Sequence, residues 1–170
     1  MKKRYVFSFL FTLSLLAACS QTATEDGLIE YDTEEVNEFL KYLTFHSQMP
    51  TLLPFKPEKV TVSAAHPDPN SKGKYQSTDF HFHKSTGRLS TPELTFRTSI
   101  HEDRYDNTDF DVELNDGTEA RFGINNEGIK ILKWGDKRNE DIYYQLFAYE
   151  ESSISKEQLI HITNHFTDPN

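Results

Sequence analysis

The chain has 170 residues, with 18 Lys and Arg against 27 Asp and Glu, a net charge of −9, and one cysteine. That acidity excludes charge-driven attraction to nucleic acid, anionic lipid headgroups or anionic wall polymers. A single cysteine excludes an intramolecular disulfide, so the domain must be held by packing alone.

In chain order, the first segment carries Lys2, Lys3 and Arg4, then an apolar run from Tyr5 to Leu15 that is too short to span a bilayer, and then Leu16-Ala17-Ala18-Cys19. Small residues before a lone cysteine read as a lipobox, with residues 1–18 a lipoprotein signal peptide and Cys19 the lipid-attachment residue. Removing that segment takes three basic residues and no acid with it, leaving 15 bases against 27 acids, a net charge of −12. Two acyl chains on Cys19 would hold the protein at the extracytoplasmic face of the cell membrane through covalent lipid. Residues 19–31 are polar and read as a tether, residues 32–166 as one α+β domain, and residues 167–170 as a tail.

Asp32-Thr33-Glu34-Glu35 precedes Val36, Phe39, Leu40 and Leu43, which recur at three- and four-residue intervals. This spacing predicts a helix from Thr33 to Phe45 with Asp32 as N-cap and Glu35 closing a capping box. Three prolines between Gln48 and Pro57 must end it. From Glu58 onward the period becomes two: Val60 and Val62, Phe80 and Phe82, and Leu94 with Phe96 each mark a strand. His66 to Gly73 and Ser85 to Pro92 read as loops.

Phe110, Val112 and Leu114 alternate, Asn115-Asp116-Gly117 intervenes, and Thr118, Ala120, Phe122 and Ile124 alternate again, which predicts a β-hairpin. Asn125 to Gly128 reads as a turn, Ile129 to Trp134 as a strand, Gly135 to Glu140 as another turn, and Ile142 to Tyr149 as a last strand. Ser155-Lys156-Glu157-Gln158 has capping-box spacing, with Ile154 and Leu159 placed as a hydrophobic staple. A C-terminal helix follows whose buried face comprises Leu159, Ile162 and Phe166. The fold class is therefore α+β: a curved antiparallel sheet of six to seven strands with an N-terminal and a C-terminal helix packed on one face.

Several phrases carry a resemblance. Met49-Pro50-Thr51-Leu52-Leu53-Pro54-Phe55 resembles the proline turn that opens an uncharacterised domain of Gram-positive secreted and membrane-anchored lipoproteins. Val112 to Ala120 resembles that family's hairpin, Ile131-Leu132-Lys133-Trp134 its tryptophan strand, and Ser155 to Phe166 its closing helix. The family is similar in outline to the lipoprotein-carrier fold, a half-barrel sheet with helices over its concave face. The resemblance implies a holder of acyl chains or lipidated partners; it transfers no active-site residue.

Candidate metal ligands are His81 and His83, two residues apart and so on one face of a strand, with His66 and His101 near neighbouring strands. His161 and His165 stand one helical turn apart, but Ile162 occupies the place of the glutamate base of a zinc protease. Glu102, Asp103, Asp106, Asp109 and Asp111 form an acidic cluster whose order does not match a calcium loop. No G-x-S-x-G elbow is present, and an acylated Cys19 leaves no thiol chemistry. The chain reads as a non-enzymatic surface lipoprotein without cofactor that binds an apolar ligand or an envelope protein. The alternatives are an extracytoplasmic regulator acting through a membrane protein, and a metal-binding or metal-dependent hydrolase using His81 and His83.

Overall fold

The computed structural model describes residues 23–24, 26–85, 91–102 and 110–169. Leu16, Ala17, Ala18 and Cys19 lie outside the described residues, as do Asp103, Asp106 and Asp109 of the acidic cluster. The elements are β1 (Ile29–Glu30), α1 (Glu34–Leu40), β2 (Met49–Pro50), β3 (Leu52–Leu53), β4 (Lys59–Pro67) and β5 (Tyr75–His83). They continue with β6 (Leu94–Ser99), β7 (Phe110–Glu113), β8 (Glu119–Ile124), β9 (Lys130–Asp136), β10 (Asn139–Ala148), α2 (Lys156–Thr163) and β11 (Phe166–Thr167).

Seven strands form one antiparallel sheet in the order β4-β5-β6-β10-β9-β8-β7. Five of its six neighbouring pairs are consecutive hairpins; β10 closing on β6 is the exception, and it places β7 at the far edge. Register divides the sheet into two chemical faces. Val62, Phe80, Phe96, Leu146, Leu132, Phe122 and Phe110 oppose one another strand by strand, an apolar row across the whole sheet. Phe80, Phe96, Leu146 and Leu132 in that row are fully buried, each contributing on the order of 2 kcal/mol through removal from water. One position along, Ser63, Asp79, Arg97, Gln145, Lys133, Arg121 and Asp111 oppose one another on the opposite face.

The first helix is shorter than its periodicity predicts. It ends at Leu40 because the chain then turns back: the N–H groups of Tyr42 and Leu43 bond the carbonyls of Phe39 and Leu40, and Leu43 bridges Tyr75 of β5. Leu43 is buried through that bridge and not on a helical face. Thr33 is the N-cap and makes no side-chain cap bond, whereas Asp32 Oδ1 accepts the Glu34 N–H at 3.0 Å; the reciprocal bond from Glu35 is absent. The folded part also begins before Asp32. Leu28 and Tyr31 are buried, and β1 pairs with β3, so the last residues of the expected tether belong to the core.

The β7–β8 and β8–β9 turns use glycine where the backbone is left-handed. Gly117 at φ +79° and Gly128 at φ +76° each follow a tight turn. Asp116 holds the first by accepting the Thr118 N–H and hydroxyl, both at 2.9 Å. The predicted Gly135 to Glu140 turn is shorter: Gly135 and Asp136 continue β9, and Asp136 Oδ1 accepts the Arg138 N–H at 2.7 Å to close the reversal.

At the C-terminus the capping box is complete, Ser155 Oγ accepting from Gln158 N and Gln158 Oε1 from Ser155 N. Leu159 and Ile162 are buried, and Ile154 is buried at the staple position. Phe166 is not on the helix face. The helix stops at Thr163, and Phe166 enters β11, pairing with Pro50 and placing its ring 5.2 Å from Phe96 and 5.3 Å from Trp134.

Candidate functional site

The polar face of the sheet supplies the candidate site. Asp79 on β5 and Arg97 on β6 stand directly opposite and pair through two bonds of 2.6 and 2.7 Å, with the guanidinium 5.3 Å from the Phe147 ring centre. Beside Arg97 stands Gln145, only 3 % exposed, whose Oε1 has no hydrogen-bond partner among the described residues. An unpaired buried carbonyl costs on the order of 1–3 kcal/mol, so Gln145 favours a ligand that brings an N–H or O–H. It lines a cleft of about 710 Å³ together with Lys133, Arg121 and Tyr143. Lys133 and Arg121 are directly opposite, two like charges on neighbouring strands. Asp111 lies 3.8 Å from Arg121; Lys133 forms no ion pair among the described residues.

His81 and His83 share the polar face of β5, as their spacing predicts, but their nitrogens are engaged by hydroxyls. His81 bridges Ser63 Oγ at 2.8 Å and Thr95 Oγ1 at 2.9 Å, and His83 Nε2 meets Thr61 Oγ1 at 3.1 Å. Burial holds the His81 ring below the usual imidazole range, assisted by His83 and Arg97 and opposed by Asp79, which favours the neutral ring. Among the described residues no three His, Cys, Asp or Glu side chains stand close enough to hold a metal ion.

The other histidines disperse. His66, held at φ +54°, stacks edge-on against His101 with ring centres 5.2 Å apart, and His101 Nε2 meets Gln76 Oε1 at 2.9 Å. His161 pairs with Asp26 at 3.2 Å, not with Glu157 or His165. Of the acidic cluster, Glu102 and Asp111 are both exposed. No described helix is long and apolar enough to cross a membrane, which leaves strands unaddressed.

A second cleft, of about 880 Å³, lies between α1 and the outer edge of β4. Neither cleft was legible beforehand. The residues that meet in the first come from four strands, and their only sequence signal is the polar half of each alternation, which carries meaning once the strand order is known; the second forms where α1 stands beside β4, a packing that neither segment's period declares. Compared with known proteins, the chain matches no family model, no curated protein and no solved structure.

Proposed function

We propose that this is a non-enzymatic surface lipoprotein, anchored through Cys19, whose domain binds an envelope protein through its exposed sheet surfaces and so acts as an extracytoplasmic regulator or sensor. On this reading both helices cover the apolar face: the Phe39 ring of α1 lies 6.0 Å from Phe80, and Lys156 at the start of α2 lies 5.3 Å from the Phe122 ring. The observation that carries the proposal is that this face is filled by the protein's own side chains. Tyr31 stands edge-on to Phe82 at 5.4 Å, and Trp134, Tyr144 and Phe166 contact one another at 5.3 to 5.7 Å. An acyl chain would have to displace these rings, which favours a partner on the surface over an apolar ligand inside.

The test is photo-crosslinking of the full chain in its own membranes from probes placed on exposed strand positions, alongside native mass spectrometry of the purified chain after exposure to lipid extract. A discrete membrane-protein adduct and no retained lipid are expected. Stoichiometric lipid with no protein adduct would establish the carrier reading instead.

A further inference from the structure

We infer that the outer edge of β4, with the groove between it and α1, is a docking site for an extended basic polypeptide segment of the partner, added to the sheet as an eighth strand. This deepens the protein-binding reading and rests on it.

The edge itself is the first observation. β4 runs for nine residues at the end of the sheet order, so alternate backbone N–H and C=O groups along it have no strand to bond among the described residues. Its second half, Ser63 to Pro67, is exposed on both faces, and the run Val60 to Ala65 contains no charged residue and no proline. Sheet edges are normally blunted by such residues, by a bulge or by a covering element. The edge of β4 between its terminal Lys59 and Pro67 has neither charge nor proline, and its pairing with β5 shows continuous register from Lys59 to Ala65. The opposite edge, β7, is only four residues long and carries Asp111 and Glu113.

The groove supplies side-chain pockets. Val60 and Val62 point to the apolar face and are only partly buried, and Phe39 of α1 forms the facing wall. An added strand would place alternate side chains beside these residues, the register-dependent recognition that strand addition uses. The rim sets the sign of the partner: Glu34, Glu35 and Glu38 of α1, with Asp32 and Glu58, outnumber Lys56 and Lys59 around the groove. Glu38 is already engaged by Lys41; Glu34 and Glu35 have no ion pair among the described residues. A second copy of this chain, net −9, brings a like charge, whereas a segment alternating apolar and basic residues complements both floor and rim.

The probe is a peptide as long as β4 that alternates valine with lysine, and its control replaces every lysine by glutamate. Fluorescence anisotropy against the full chain should give a saturable isotherm for the lysine peptide, weakened by added salt, and none for the control. Amide hydrogen exchange in β4 should slow on binding. The double variant Glu34→Lys, Glu35→Lys should weaken binding at least tenfold without altering the thermal unfolding midpoint by more than a few degrees. No saturable binding, binding that leaves β4 exchange unchanged, or equal affinity in the double variant would each overturn the site. Protection of β4 that appears with protein concentration alone would overturn the occupant in favour of self-pairing. The peptide experiment decides the surface and the membrane cross-linking decides the protein-binding reading: an adduct that persists undiminished in the double variant defeats the β4 site and leaves that reading standing.

Discussion

The Tyr144 hydroxyl donates to Asp136 Oδ2 at 2.7 Å while accepting the backbone N–H of Gln48 at 3.1 Å. Asp136 also accepts the Arg138 N–H, and Arg138 reaches Asp168 at 2.9 Å. One buried carboxylate thereby ties the β9–β10 hairpin to the segment entering β2 and to the C-terminal residues. Burial works against the charge of Asp136, but the bonds from Tyr144 and Arg138 outweigh it and hold the carboxyl below the ordinary range. Burial also pushes the Tyr144 hydroxyl well above its usual range, so it stays a donor.

Tyr144→Phe should cost about 1–2 kcal/mol in urea unfolding, since it leaves the Gln48 N–H without its hydroxyl partner and Asp136 Oδ2 with only the longer, 3.4 Å bond from Arg138. Asp136→Asn should reshape the acid limb. A depressed folded pKa means that the stability it contributes is fully present above the unfolded value near 3.9 and is lost as pH falls through the folded one. The wild type should therefore lose stability more steeply than the variant below about pH 4. Superimposable acid limbs would show that the carboxylate contributes nothing there.

Gly117 and Gly128 should respond differently to alanine. At Gly117 an added Cβ would meet only Glu113 Oε1 at 3.9 Å, so the cost is the left-handed backbone alone, about 1 kcal/mol. At Gly128 the Cβ would stand 2.9 Å from Glu150 Cγ, adding a clash to the same backbone penalty. Gly128→Ala should be the more destabilising, and Glu150→Ala, which removes Cγ and Cδ but keeps the Cβ at 3.2 Å, should recover most of the excess; chemical denaturation of the two glycine variants and of the Gly128→Ala, Glu150→Ala double variant reads this directly.

His81 should titrate below the usual imidazole value of about 6.5 when followed by NMR of its ring protons. Its stabilising contribution is complete above about pH 6.5 and declines as pH falls towards the folded pKa, since the unfolded ring protonates first. His81→Gln should remove that part of the decline. A folded-state midpoint at or above 6.5 would contradict the neutral bridge between Ser63 and Thr95.

Cys19→Ala should move the protein from the membrane to the soluble extracytoplasmic fraction while leaving its thermal unfolding midpoint unchanged. Membrane fractionation and circular dichroism measure the two arms, and retention at the membrane would refute the lipid anchor.

Much of the strand content was readable because its cause is local. Alternation of Phe80 and Phe82, or of Ala120 and Phe122, declares a half-buried strand, and Gly117 and Gly128 declare their turns through a backbone conformation that other residues resist. The capping box at Ser155 is likewise a contact between residues three apart. The pairs β1–β3 and β2–β11 were not readable, since two-residue strands have no period. Their partners lie as far apart as Pro50 and Phe166. A shorter separation was enough to hide the end of α1, which Leu43 and Tyr75 decide between them.

The sequence by itself determined the longer strands of the sheet, the glycine turns at Gly117 and Gly128, the C-terminal helix start and the acidic balance, because each depends on residues a few positions apart or on composition. Tertiary structure alone decided that β10 closes on β6, which aligns Asp79, Arg97, Gln145 and Lys133 into one polar row and leaves β4 as an end strand of the sheet among the described residues. Strand order is a property of contacts between distant segments, and the alternation within a strand is identical whichever neighbour it has.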